Sequence, residues 1–229
     1  MTRHMLIGIT AAVAVGSVQP AAAQESWSWN SAVPAGRTIE IKGVNGAIRA
    51  SATSGSEVRV RVTKRARRSN PDEVRMVVLE HANGVTICAV YPNVNDRRPN
   101  ECVAGDGGRM NVQNNDVAVE WDVEVPNGVH LTARTVNGAI EATGLTGDVR
   151  AATVNGAVSV ATRGLARAST VNGRIEARLG RADWSNELEF ETTNGSVVVY
   201  AAADLSAHVS ASTVNGSIET DFPLEVRGR

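Results

Sequence analysis

The chain has 229 residues, with 23 Lys and Arg against 24 Asp and Glu, a formal net charge of −1. That balance excludes the basic excess of a general nucleic-acid binder, and a 42% hydrophobic share excludes a disordered chain. Aromatic residues make up only 3%, so any core is built from Val, Ile, Leu and Ala.

Residues 1–23 read as a secretory signal peptide. Arg3 supplies the positive start, Met5 to Val18 an uncharged apolar run, Pro20 a helix break and Ala21-Ala22-Ala23 a small-residue cleavage site. The run is shorter than the roughly 20 residues of a membrane span, and no second stretch of that length follows. Cleavage after Ala23 predicts a mature chain, 24–229, outside the cytoplasm: periplasmic, at the cell surface or secreted.

Residues 24–130 read as an irregular β region. Ile39 and Ile41 alternate with Glu40 and Lys42, and Val58, Val60 and Val62 follow with the same period. Lys64, Arg65, Arg67 and Arg68 form one dense basic run. It reads either as a charged strand end that blocks edge pairing or as a contact for anionic envelope polymers. Asn83-Gly84 predicts a hairpin, with Val77 and Leu79 before it and Val85 and Ile87 after. Cys88 and Cys102 enclose 13 residues. In an oxidising compartment such a pair forms a disulfide, and closing its loop is worth about 3 kcal/mol by chain entropy. Residues 104–115 read as a loop, and 117–125, VAVEWDVEV, as a strictly alternating strand with Val117, Val119, Trp121, Val123 and Val125 inward.

Residues 131–229 are a repeat. Asn-Gly occurs eight times, and six copies share a longer pattern: VNGAI at 44 and 136, VNGAV at 154, VNGRI at 171, TNGSV at 193 and VNGSI at 214. The structural columns are Asn45, Asn137, Asn155, Asn172, Asn194 and Asn215, with Gly138, Gly156, Gly173, Gly195 and Gly216 behind them. Two architectures suit the 17–22-residue period. An antiparallel meander or sandwich makes each Asn-Gly a hairpin turn; a β-solenoid makes each unit one coil, with equivalent residues stacked. The column four residues after each Asn reads Glu141, Ser159, Glu176, Val198, Glu219, and this interleaving of acids favours the solenoid, where like charges would otherwise meet. An Asn ladder favours it too. The expectation is an all-β, solenoid-like single domain over 24–229, with Gly supplying positive φ at the bends and Thr135, Thr153, Thr170 and Thr213 forming an exposed column. The chain stops within a sixth unit, leaving a bare end that favours assembly.

These T-V-N-G-x-[IV] units resemble a family known as bacterial putative adhesins of unknown function. The resemblance spans Val44 to Ile218. It implies a secreted β-repeat protein and carries over no catalytic residues; members continue into one further T-V-N-G unit, which this chain lacks.

Catalytic patterns are sparse. His81, His130 and His208 form no close pair, and nucleophile-elbow, phosphate-loop and dinucleotide motifs are missing, so neither a metal nor a cofactor is expected. Glu187, Glu189 and Glu191 alternate with Leu188 and Phe190 as one strand face, and Trp27, Trp29 and Trp184 read as core finishers or sugar platforms. The leading expectation is a non-enzymatic protein that binds polysaccharide or another envelope component, with neither nucleic-acid nor membrane-spanning partners. A polysaccharide-active enzyme using Glu120, Asp122, Glu141 and Glu176, and a self-assembling scaffold, are the alternatives.

Overall fold

The computed structural model describes residues 23–93, 98–181, 184 and 186–223. The signal-peptide reading of 1–23 therefore lies, apart from Ala23, outside the described residues. Fifteen strands are present: β1 Ala23–Ser31, β2 Thr38–Lys42, β3 Ile48–Thr53, β4 Val58–Ala66, β5 Arg75–His81, β6 Gly84–Val90, β7 Ala118–Pro126, β8 His130–Arg134, β9 Ile140–Leu145, β10 Val149–Ala152, β11 Val158–Thr162, β12 Ala166–Asn172, β13 Ile175–Leu179, β14 Glu189–Asn194 and β15 Val197–Tyr200. The fold is all-β, and no α-helix occurs among the described residues.

The strands form two mixed sheets. One has eight strands in the order β1-β4-β7-β3-β9-β11-β13-β15, the other seven in the order β14-β12-β10-β8-β2-β6-β5. From β8 onward the chain alternates between sheets, so each repeat contributes one strand to each. All pairings between repeats are parallel. Asn-Gly in the repeats is therefore no hairpin turn, since a hairpin joins antiparallel neighbours. It is the corner at which the chain passes from the seven-stranded to the eight-stranded sheet. The Asn83-Gly84 turn does join an antiparallel pair, β5 and β6, with His81 opposite Gly84.

The core lies between the sheets and explains the low aromatic content. In-register columns such as Ile48–Ile140–Val158–Ile175 in one sheet and Ile39–Leu131–Val149–Ala166 in the other are buried, as are the small residues of Ala50–Ala142–Val160–Ala177. Trp121 on β7 is the largest fully buried side chain, and Val117, Val119, Val123 and Val125 are buried with it.

The first VNGAI unit, β2 and β3, sits inside the stack rather than at its start. Chain residues 54–129 leave this unit, build β4 to β7 on its outer side and then lead to β8 on its inner side. Antiparallel β4 and β1 close one sheet there, and β5 closes the other. Trp27 and Trp29 pack half-buried on the core beneath this cap, as Trp184 does elsewhere.

Candidate functional site

The corner motif follows from how closely successive units approach one another. Asn137 Nδ2 donates to Asn45 Oδ1, Asn155 to Asn137, Asn172 to Asn155 and Asn194 to Asn172, each at 2.8–2.9 Å. Asn215 lies outside this ladder, in an exposed stretch without a strand. Thr213 is exposed, as its sequence suggested, but the rest of the Thr column is buried: Thr135, Thr153 and Thr170 are 5–6% accessible. Their hydroxyls, and that of Thr192, donate inward to the carbonyls of Gly46, Gly138, Gly156 and Gly173 at 2.9–3.2 Å. This removes the Thr face as a ligand surface. Alternation fails at the corner because the chain turns there, so Val136, Val154 and Val171 face solvent at 38–40%. The glycines also serve a purpose other than the expected positive φ. A Cβ on Gly138, Gly156, Gly173 or Gly195 would lie 1.9–2.1 Å from the carbonyl oxygen of the preceding unit's glycine. Gly46 and Gly216 do have positive φ.

The Cys88–Cys102 disulfide is present. It ties loop 98–109 over the outer face of the seven-stranded sheet. Beneath that loop Lys42 Nζ donates to the carbonyls of Val103, Gly105 and Gly107, and Glu40, buried at 5%, accepts from Thr86 Oγ1 at 2.7 Å and Gly105 N at 2.9 Å. Burial lowers the Lys42 pKa against the opposing pull of Glu40. His81 bonds Thr86, and Arg134 pairs with Asp106. This network holds a loop in place and its charges are internally matched.

The basic run divides. Lys64 continues the inward parity of Val58, Val60 and Val62, is 3% exposed and bonds Glu25 at 2.6 Å. It is therefore removed from the surface contact. Arg65, Arg67 and Arg68 are exposed, and among the described residues their side chains form no ion pair. Asp116 anchors their turn: the backbone N–H groups of Arg67, Arg68 and Ser69 donate to its carboxylate at 2.8–3.2 Å. Those bonds, Ser69 foremost, pull the Asp116 pKa down to about 2.

Arg65 opens onto the outer face of the eight-stranded sheet. There β4 presents Arg59 and Arg61, β7 presents Glu120, Asp122 and Glu124, and β3 presents Arg49 and Ser51, on strands about 4.8 Å apart. Arg59 and Arg61 share Glu124, and Arg49 lies 3.5 Å from Glu120. A shallow, open cleft of about 340 Å³ runs across them, lined by Arg49, Arg61, Asp122, Glu124, Glu141 and Thr143 among others. Of the four carboxylates considered for catalysis, Asp122 and Glu141 reach this cleft, on either side of Arg49; Glu120 is turned to Arg49 and Glu176 is held by Arg174 and Arg178. The VRVRVTKR alternation carried the signal for Arg59 and Arg61, which sequence reasoning passed over in favour of the denser run.

Glu189 and Glu191 face outward on β14, with Leu188 and Phe190 packed on the core. Among the described residues no group of three or more His, Cys, Asp or Glu could hold a metal, and no helix is long and apolar enough to cross a membrane.

No protein-family model and no curated protein matches the chain. Solved structures similar to it include three bacterial proteins. A putative cell adhesion protein of Clostridium sporogenes shares 10% identity over 76% of this chain and 99% of that one, with a TM-score of 0.46. A putative adhesin of Bacteroides fragilis shares 10% over 77% and 97%, with a TM-score of 0.24. A putative adhesin of Parabacteroides distasonis shares 13% over 76% and 97%, with a TM-score of 0.23. Likeness at this level carries no functional inference.

Proposed function

We propose that the protein is a non-enzymatic, extracytoplasmic β-repeat protein, adhesin-like in that it binds a polysaccharide or another polymer of the cell envelope. In this reading the repeats wind as a two-sheeted solenoid, 24–229 form one domain, and the signal is cleaved near Ala23. The signal-like first 23 residues and the disulfide support the location.

The observation that carries the binding role is the outer face of the eight-stranded sheet. It is open and set with guanidinium, carboxylate and hydroxyl groups at strand spacing. Small-molecule sites are enclosed and mostly apolar, whereas this face suits an extended chain rich in hydroxyls. Arg65, Arg67 and Arg68 stand at its edge, where bidentate guanidinium contacts hold the acidic groups of such a chain.

The test is a binding assay of the protein against a panel of acidic and neutral polysaccharides, beside the variant R65A/R67A/R68A. Saturable binding to acidic members, weakened in the variant and by salt, supports the proposal. Polymer turnover that disappears in Asp122→Asn or Glu141→Gln would overturn it in favour of an enzyme.

A further inference from the structure

Among the described residues both sheets finish on a bare edge at the C-terminal side, since β15 and β14 are each paired on one side only. The core shows through at this end. Val197 and Val199 continue the inward columns of Ile175 and Ala177, yet both are 40% exposed where Ile175 and Ala177 are 0%. The amide ladder ends with an acceptor in hand: each upstream Asn accepts through Oδ1 from the next unit, and among the described residues nothing donates to Asn194 Oδ1.

The segment that follows mirrors these deficits. Residues 209–222, VSASTVNGSIETDF, hold the sixth T-V-N-G unit, 21 residues after the fifth. They contain no strand, and Val209, Val214 and Ile218 are 68%, 97% and 58% exposed. We propose that the open end of the stack is a binding site for one further T-V-N-G unit, and that its occupant is this chain's own segment Val209–Phe222.

The fit is specific. In the register of the earlier units Thr213 stands beside Thr192 with its hydroxyl aimed at the Gly195 carbonyl, and Asn215 donates to Asn194 Oδ1. Ile218 covers Val197 and Thr220 covers Val199. Gly216 meets the Gly195 carbonyl, where the other stacked corners tolerate no Cβ. Glu219 falls beside Val198 and not beside Glu176, so no like charges stack. Val214 would stay part-exposed, as Val171 does at 40%. Eight residues, 201–208, join β15 to the segment and reach about 26 Å when extended; only three, 163–165, join β11 to β12. A tether this short gives a local concentration in the millimolar range, which favours the chain's own segment over another copy's. An unfilled edge instead templates strand addition by a neighbour.

The two arrangements separate in one experiment. Ser196 and Ser217 are both exposed and become neighbours on docking, about 4.8 Å apart across parallel strands, within disulfide range. The full chain carrying Ser196→Cys and Ser217→Cys is oxidised and mapped by mass spectrometry, beside an out-of-register control, Ser196→Cys with Ser212→Cys. The proposal expects a cross-link within one chain, at least tenfold more complete than in the control and lost on adding Ile218→Asp. A disulfide-linked dimer would overturn it by assigning the site to a second copy. Equal cross-linking in the control, or none in either, would overturn it by showing that the segment does not dock.

Discussion

Gly156→Ala tests the reading of the corner glycines. The new Cβ would stand 2.1 Å from the Gly138 carbonyl oxygen and 2.6 Å from its carbon, inside the 3.0 Å that real Cβ atoms keep. The obstacle is backbone, so the two units must part by about 1 Å at this corner. Of the hydrogen bonds that cross that gap, three are made by Gly138 itself or by the adjoining Asn pair: Gly138 N to Asn155 O at 3.0 Å, Thr153 Oγ1 to Gly138 O at 2.9 Å and Asn155 Nδ2 to Asn137 Oδ1 at 2.8 Å. At about 1 kcal/mol net for each, the expected loss is about 3 kcal/mol. Gly36→Ala is the contrast, because Gly36 has φ +79° and nothing within 4 Å of its absent Cβ; the conformational penalty alone is about 1 kcal/mol. Urea unfolding followed by circular dichroism measures both. A Gly156→Ala variant within about 0.5 kcal/mol of the parent would refute the close-approach account, since that is the scatter of neutral surface changes.

Three further outcomes follow from the same geometry. Thr153→Val leaves the Gly138 carbonyl without its hydroxyl donor and should cost about 1–2 kcal/mol, while Thr153→Ser keeps the bond and should cost less; urea midpoints compare them. Asp116 has a depressed folded pKa, so its stabilisation is present above the ordinary carboxylate value of 3.8 and fades as pH falls towards about 2. Acid unfolding of Asp116→Asn should accordingly lose that component, and amides 67–69 should exchange faster in the variant at neutral pH. Replacing Cys88 and Cys102 together by Ser should cost about 3 kcal/mol and free the loop carbonyls that hold Lys42, read as faster exchange over 101–109.

Much of the fold was legible because it is periodic. The T-V-N-G spacing located the corners, the alternation of 117–125 named its buried side chains, and Asn83-Gly84 marked the hairpin. The first coil's place in the stack was not legible, for Asn45 bonds Asn137 across 92 residues and nothing local sets that pairing. Thr burial was misread because alternation was carried through a corner where the backbone turns. Gly43 shows the same local limit: it stands where later units have Thr, and a Cβ there would lie 3.2 Å from Trp121 Nε1, a neighbour 78 residues away in sequence. Lys64 was readable and was missed. It shares the parity of three inward valines, and charge was weighed before position. At the candidate site, Arg59 and Arg61 sit in the same alternation, but their union with Asp122 and Glu141 depends on a mixed sheet order that no short pattern encodes.

The binding claim is tested most directly by hydrogen exchange on the protein with and without a saturating acidic polysaccharide. The account predicts slowed exchange confined to β3, β4 and β7 and to the turn 65–69, with the seven-stranded sheet unchanged. Protection over the seven-stranded sheet instead, or no protection at any polymer concentration, would contradict it.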